Sequence, residues 1–183
     1  IFTLLSDARI SPRDGGFLFG EGVYEVIRCY GGQPVAMPYH LERLHDSLKG
    51  IALSPSHSDA QLHALIDELI HRNGGGDLGI YLQITRGVVE RRQHAFPDKC
   101  EPTVFAYTFP ISPPSDGSIE SATCFTTVTR PDQRWGRCHI KSTALLGNVL
   151  HMMEAVEENA EEVLLFNDQN QLTEAAACNV FVV

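Results

Sequence analysis

The sequence predicts a mixed α+β or α/β chain organised as two domains. Two observations lead there. Stretches of strand-like alternation are interleaved with stretches of helical period, and a Pro- and Ser-rich segment, Ser112-Pro113-Pro114-Ser115-Asp116-Gly117-Ser118, interrupts them. We read residues 1–113 as an N-terminal α+β domain, 114–118 as a linker and 119–183 as part of a second domain. At 183 residues the chain suits one large domain or one and a half small ones. The second region has too little chain for a comfortable core of its own. It stops inside the apolar run Val180-Phe181-Val182-Val183, so a further C-terminal portion is expected.

The elements follow in order. Phe17-Leu18-Phe19-Gly20-Glu21-Gly22 opens a β-like first segment with a turn in which glycine reaches backbone shapes closed to other residues. Val23 to Tyr30 alternates for part of its length and ends at the hairpin signal Gly31-Gly32. Leu41, Leu44, Leu48 and Ile51 keep helical spacing after Pro38, a residue suited to a first turn. Leu62, Leu65, Ile66, Leu69 and Ile70 form a second helical stripe. Ser58 with Gln61 is its capping box, and Asn73-Gly74 its stop. Strands are expected over Gly79–Arg86 and Thr103–Thr108, with a loop from Gly87 to Glu101. Past the linker, Ala122–Thr129 reads as a strand and Ser142–Asn159 as a helix. Leu145, Leu146, Val149, Met152, Met153 and Val156 lie near one face of that helix. Glu162–Phe166 and Asn179–Val183 read as strands, the former leading into a turn at Asn167-Asp168-Gln169-Asn170.

Composition excludes several classes of function. A formal charge of −9 argues against a nucleic-acid surface and requires any anion site to be made by a few well-placed cations. No apolar run reaches the roughly 18 residues of a membrane span. Five cysteines, an odd count without C-x-x-C spacing, fit a reducing cytoplasm better than a disulfide framework or a zinc site. The histidines lack metal-ligand spacing, so no metal is expected.

Four places carry candidate chemistry. Lys141, in Arg137-Cys138-His139-Ile140-Lys141-Ser142, lies at an expected loop–helix junction beside an apolar residue. Partial burial lowers a lysine's affinity for its proton and frees the amine for attack on a carbonyl. Glu174 precedes the small residues Ala175-Ala176-Ala177, which allow a flat ligand to approach a carboxylate. Arg43, in His40-Leu41-Glu42-Arg43-Leu44, has the planar fork that suits phosphate. Arg92 and His94, two apart in an extended loop, point the same way and suit a carboxylate. Taken singly, each has a plainer reading as a surface lysine, a turn glutamate, a helix-surface arginine or a solvated basic loop.

Together they resemble the fold-type IV pyridoxal 5′-phosphate (PLP) enzymes, which include D-amino-acid and branched-chain aminotransferases and aminodeoxychorismate lyase. The resemblance runs from about Asp14 to Val183. It rests on Phe19-Gly20-Glu21-Gly22-Val23-Tyr24-Glu25, His40-Leu41-Glu42-Arg43-Leu44, Ile140-Lys141-Ser142 with Gly147-Asn148, and Thr173-Glu174 leading to Asn179-Val180-Phe181. It implies a two-domain architecture whose second domain is incomplete here. By resemblance Lys141 matches the Schiff-base lysine that moves the substrate's Cα proton, and Glu174 the acid on the pyridine nitrogen. Arg43 matches the phosphate arginine, and Tyr24 a tyrosine beside cofactor and substrate. Arg92-Gln93-His94 and Arg134-Trp135-Gly136-Arg137-Cys138 look like the D-amino-acid branch, with Arg92 and His94 as its carboxylate trap. Ile27-Arg28-Cys29-Tyr30 and Arg43-Leu44-His45-Asp46-Ser47 look like the branched-chain branch. The resemblance implies ping-pong transamination between an amino acid, a D-amino acid favoured, and a 2-oxo acid, by a homodimer. A branched-chain L-amino-acid aminotransferase, an aminodeoxychorismate lyase and a truncated inactive fragment remain as alternatives. Two departures stand out: relatives run on past this point, and their Ser-rich stretch after the glutamate is Ala175-Ala176-Ala177-Cys178 here.

Overall fold

The structure is a computed structural model that describes residues 1–97, 99–114 and 116–182. It divides into two compact units. The first comprises Ile1–Pro114 together with His139–Ala144, and the second Ser115–Cys138 together with Leu145–Val183. The change of unit at Pro114 falls within the segment read as a linker. Lys141 belongs to the first unit, although it follows the linker in sequence.

In the first unit a short helix α1 (Gly15–Phe19) is capped by the Asp14 carboxylate, which accepts the Gly16 N–H at 2.8 Å. It ends at Gly20, φ +68°. This replaces the β-like start expected from sequence. Strands β1 (Gly22–Tyr30) and β2 (Gln33–Pro34) form the hairpin expected at Gly31-Gly32. Helices α2 (Met37–Gly50) and α3 (Asp59–Arg72) follow, the latter with its full Ser58–Gln61 capping box. Strands β3 (Leu78–Thr85) and β4 (Thr103–Pro110) complete an antiparallel sheet of order β2-β1-β3-β4.

The core follows from the two periods. Val23, Ile27 and Cys29 of β1 and Ile80, Leu82 and Ile84 of β3 alternate onto one sheet face. They meet Leu41, Leu44 and Leu48 of α2 and Leu62, Ile66 and Ile70 of α3 in one buried cluster, which Ile140 also joins.

In the second unit β5 (Thr127–Pro131) runs parallel to β6 (Glu162–Phe166), and β7 (Leu172–Ala175) runs antiparallel to β6. A parallel pair needs a crossover, supplied by α4 (Leu146–Glu157). The core is small: Ala155, Ala160, Val163, Leu165 and Ala176, with Val128 and Met152 packed against it. Several sequence expectations shift here. The first strand starts later, at Thr127. The helix starts at Leu146, because Ser142 is taken into a bridge with Val23. No strand covers residues 179–182, and Leu172–Ala175 is a strand instead. Of the apolar row on α4 only Met152 packs against this core among the described residues: His151 and Ala155 are buried, while Leu146, Val149, Leu150, Met153 and Val156 are exposed. No helix among the described residues is long and apolar enough to cross a membrane.

Candidate active site

The seat of Lys141 is built by sheet pairing. Ile140 is buried in the first unit's core and fixes the segment from one side. The Lys141 N–H donates to Ser47 Oγ of α2 at 3.1 Å, and its carbonyl accepts the Tyr24 N–H at 3.0 Å. The Thr143 N–H continues the pairing to the Gly22 carbonyl at 2.9 Å. Gly22 has no side chain where this strap passes. A Cβ there would stand 3.0 Å from Thr143 Oγ1 and 3.1 Å from Thr85 Cγ2.

The Lys141 side chain is half-buried. Its Nζ lies 3.4 Å from the Tyr24 hydroxyl and 4.4 Å from the centroid of that ring, a cation–π distance. The Tyr24 ring stacks on Tyr81, whose phenol burial and nearby tyrosines push up to about 12. Among the described residues no carboxylate pairs with Nζ, so the amine faces only a phenol.

Arg43 sits on α2 one helical turn before Ser47, on the same side as the residue that holds Lys141. Its guanidinium grips Glu25 with two bonds, Nε to Oε1 at 2.7 Å and Nη2 to Oε2 at 2.6 Å. The His40 ring shares Oε2 at 2.7 Å. Glu25 is 1% exposed, on the face of β1 that carries Val23 and Ile27. Burial would raise its carboxyl, but the hydrogen bonds from Arg43 and His40 outweigh that and hold it below its ordinary value. The Glu25 bond likewise raises Arg43 above its ordinary value. The Arg43 side chain is half exposed, and its Nη1 has no hydrogen-bond partner among the described residues.

Arg92 and His94 are exposed and converge on one neighbour. The Arg92 guanidinium lies 5.0 Å from the Phe19 ring centroid, and the His94 ring meets Phe19 edge-on at 5.4 Å. No hydrogen bond or ion pair joins either to Lys141 or Tyr24 among the described residues.

Glu174 lies on β7 of the second unit, its side chain 42% exposed. Its Oε2 accepts Nη1 of Arg134, while no protein donor to Oε1 is present among the described residues. Arg134 is gripped in turn by Asp132. Below this strand Glu162 is buried, and its carboxylate accepts the N–H groups of Val163 (2.8 Å), Ala176 (3.0 Å) and Ala177 (3.2 Å). Glu162 therefore fixes the small-residue turn that follows Glu174.

The structure brings Lys141, Tyr24 and, through Ser47, Arg43 into one neighbourhood of the first unit. Sequence reasoning passed over Glu25, His40 and Ser47. The period of β1 carried the signal for Glu25: an acid in register with Val23, Ile27 and Cys29 needs a cationic partner, and His40-Leu41-Glu42-Arg43 supplies two. No group of three or more His, Cys, Asp or Glu suited to a metal occurs among the described residues.

A D-alanine aminotransferase of Bacillus licheniformis is 40% identical over 177 residues, which are 97% of this chain and 61% of the relative. The chain spans 61–63% of the length of such curated relatives. Branched-chain amino acid aminotransferase of Escherichia coli superposes with a TM-score of 0.81 at 23% identity, covering 94% of this chain and 59% of that one. A putative 4-amino-4-deoxychorismate lyase of Legionella pneumophila gives 0.80 at 21%, covering 94% and 62%. At these identities the two structures speak for the fold alone. The amino-transferase class IV pattern matches residues 22–183, from the start of β1 onward, and the chain belongs to that family.

Proposed function

We propose that this chain provides the lysine-bearing part of a PLP-dependent aminotransferase that moves an amino group between an amino acid, a D-amino acid favoured, and a 2-oxo acid. The observation that carries the reading is the Lys141 amine, half-buried, held by main-chain bonds on both sides and paired with a phenol instead of a carboxylate. Each unit carries groups that suit the cofactor: in the first, an amine for its aldehyde and an arginine for its phosphate, and in the second a carboxylate for its ring nitrogen. When bound, PLP would supply a carbonyl for the substrate amine and an electron-withdrawing ring that acidifies the substrate's Cα–H.

The chain's own residues do the rest. Lys141 Nζ holds the cofactor at rest, and once displaced takes and returns the proton as a base. The Tyr24 hydroxyl receives a hydrogen bond from Nζ and orients it. Arg43, kept in place by Glu25, offers a fixed positive charge to a phosphate. Glu174 Oε1 is the acceptor for a protonated ring nitrogen. Arg92 and His94 are the proposed carboxylate trap. By the same resemblance the working unit is proposed to be a cytoplasmic homodimer.

The D-amino-acid preference rests on Arg92-Gln93-His94 and on the D-alanine aminotransferases among the relatives. The test is a substrate panel on the full chain loaded with PLP: D-alanine and an L-branched-chain amino acid, each as amino donor to 2-oxoglutarate, and aminodeoxychorismate alone as a substrate for cleavage. Turnover of D-alanine with parallel double-reciprocal lines is expected. Turnover of the branched-chain donor alone, or cleavage of aminodeoxychorismate alone, overturns the substrate assignment.

A further inference from the structure

We propose that Arg134, clamped by Asp132, is a positioning residue that fixes the Glu174 carboxylate in the orientation it needs toward the cofactor. The inference rests on the reading of Glu174 given above and assigns the device that sets it.

A glutamate with a 42%-exposed side chain in a four-residue strand has no reason of its own to hold one rotamer. Arg134 supplies one. Its side chain is only 6% exposed, and its Nη1 donates to Glu174 Oε2. The arginine is itself immobilised. Its Nε donates to Asp132 Oδ1 at 3.0 Å, its Nη2 to Oδ2 at 2.9 Å, and its main-chain N–H again to Oδ1 at 3.1 Å. Asp132 also accepts the Thr173 hydroxyl at 2.7 Å, from the residue just before Glu174. The chain Thr173–Asp132–Arg134–Glu174 thus closes a ring that begins and ends on adjacent residues of β7. In such a ring no member turns without breaking a charge-assisted bond.

Two neighbours on α4 give the ring its room and its backing. A Cβ at Gly147 would stand 3.3 Å from Arg134 Cγ and 3.4 Å from its Cα, so glycine lets the arginine lie against the helix. The Asn148 amide donates to the Ala176 carbonyl at 2.8 Å and pins the turn after β7. Gly147-Asn148, otherwise a motif without a task, thus supports both the arginine and the turn after β7. With Oε2 taken by Arg134, Oε1 is the oxygen left without a protein donor among the described residues.

A plain structural staple would look similar in a static view, so the test reads the bound cofactor. Five variants of the full chain are loaded with PLP: Arg134→Met, Arg134→Lys, Asp132→Asn, Glu174→Gln and the double Arg134→Met/Glu174→Gln. Cofactor stoichiometry, the pH midpoint of the bound cofactor's visible absorbance, kcat and KM are measured. Arg134→Met is expected to move the absorbance midpoint as Glu174→Gln does. It is also expected to lower kcat by about 10- to 100-fold at little changed KM. Arg134→Lys recovers part of both effects, Asp132→Asn reproduces them in weaker form, and the double variant is no worse than Glu174→Gln alone. An unmoved midpoint in Arg134→Met, or additive losses in the double variant, overturns the clamp. Should Arg134→Met not fold, unmoved midpoints in both Arg134→Lys and Asp132→Asn overturn it instead. If Glu174→Gln itself leaves the absorbance unchanged, the cofactor reading of Glu174 falls, and the clamp's purpose with it.

Discussion

The Tyr24 hydroxyl stands 3.4 Å from Lys141 Nζ, and the main chains of the same two residues are joined by the Tyr24 N–H to Lys141 carbonyl bond at 3.0 Å. One strand thereby sets both the height of the lysine and the direction of its amine. Lys141→Ala should remove the only group on this strap able to bond an aldehyde. Borohydride reduction of the PLP-treated full chain, followed by peptide mapping, is expected to label Lys141 in the parent and nothing specific in the variant. A specific label persisting elsewhere would displace Lys141 from its role.

Gly22→Ala tests the strap without touching the amine. The new methyl group would press on Thr143 Oγ1, Thr85 Cγ2 and the Ile84 carbonyl at 3.0–3.3 Å. A cost of about 1–3 kcal/mol is expected from overpacking. Weaker retention of PLP should accompany it, read by dialysis and absorbance. Unchanged stability together with unchanged retention would show that the strap tolerates displacement.

The Glu25 cluster gives an acid-side signature. A carboxyl held below its unfolded value stabilises the fold fully above that value, about 4.3, and loses the contribution as pH falls through the lowered folded value. Glu25→Gln is expected to cost about 1–3 kcal/mol at neutral pH. It should also flatten the decline of stability on acidification, measured by urea unfolding at neutral and acidic pH. An equally steep decline in the variant would mean that other carboxylates set the acid limit.

Glu162→Ala removes a buried acceptor from three main-chain N–H groups at once. The expected loss is about 2–4 kcal/mol by chemical denaturation. A loss well under one such bond would indicate that water replaces the carboxylate.

Arg92→Ala tests the proposed carboxylate trap. KM for the amino donor should rise much more than the dissociation constant for PLP. Equal weakening of both would remove the carboxylate-trap role.

The first unit was legible where local and global signals agree. The Ser58–Gln61 box, the Leu62–Ile70 stripe and the Asn73-Gly74 stop all name one helix, and α3 is that helix. Legibility fails where tertiary pairing overrules propensity. Ser142 and Thr143 read as a helix start, but their pairing with Val23 and Gly22 keeps them out of the helix. Leu172–Ala175 hides as a strand because Leu, Glu and Ala are helix formers. Val180 and Phe181 advertise a strand, yet none forms among the described residues. Of the site residues, Lys141 and Tyr24 meet as a pair, and Arg43 reaches their neighbourhood through Ser47. The partners that steady the site, Glu25 for Arg43 and Asp132 with Arg134 for Glu174, lie far apart in sequence and were not readable as pairs.

The strap that carries Lys141 also dictates an order of assembly. Its contacts span 94 residues to Ser47 and 117 to Tyr24. As the chain leaves the ribosome at about 5–20 residues per second, the sheet and both helices beneath it emerge seconds before their last component. Contacts of such long range close late and slowly. The nascent sheet therefore waits with a vacant edge at Gly22–Tyr24, and the Lys141 amine is seated only on a scaffold that has already formed. A fault in that scaffold leaves the lysine without its place beside Tyr24.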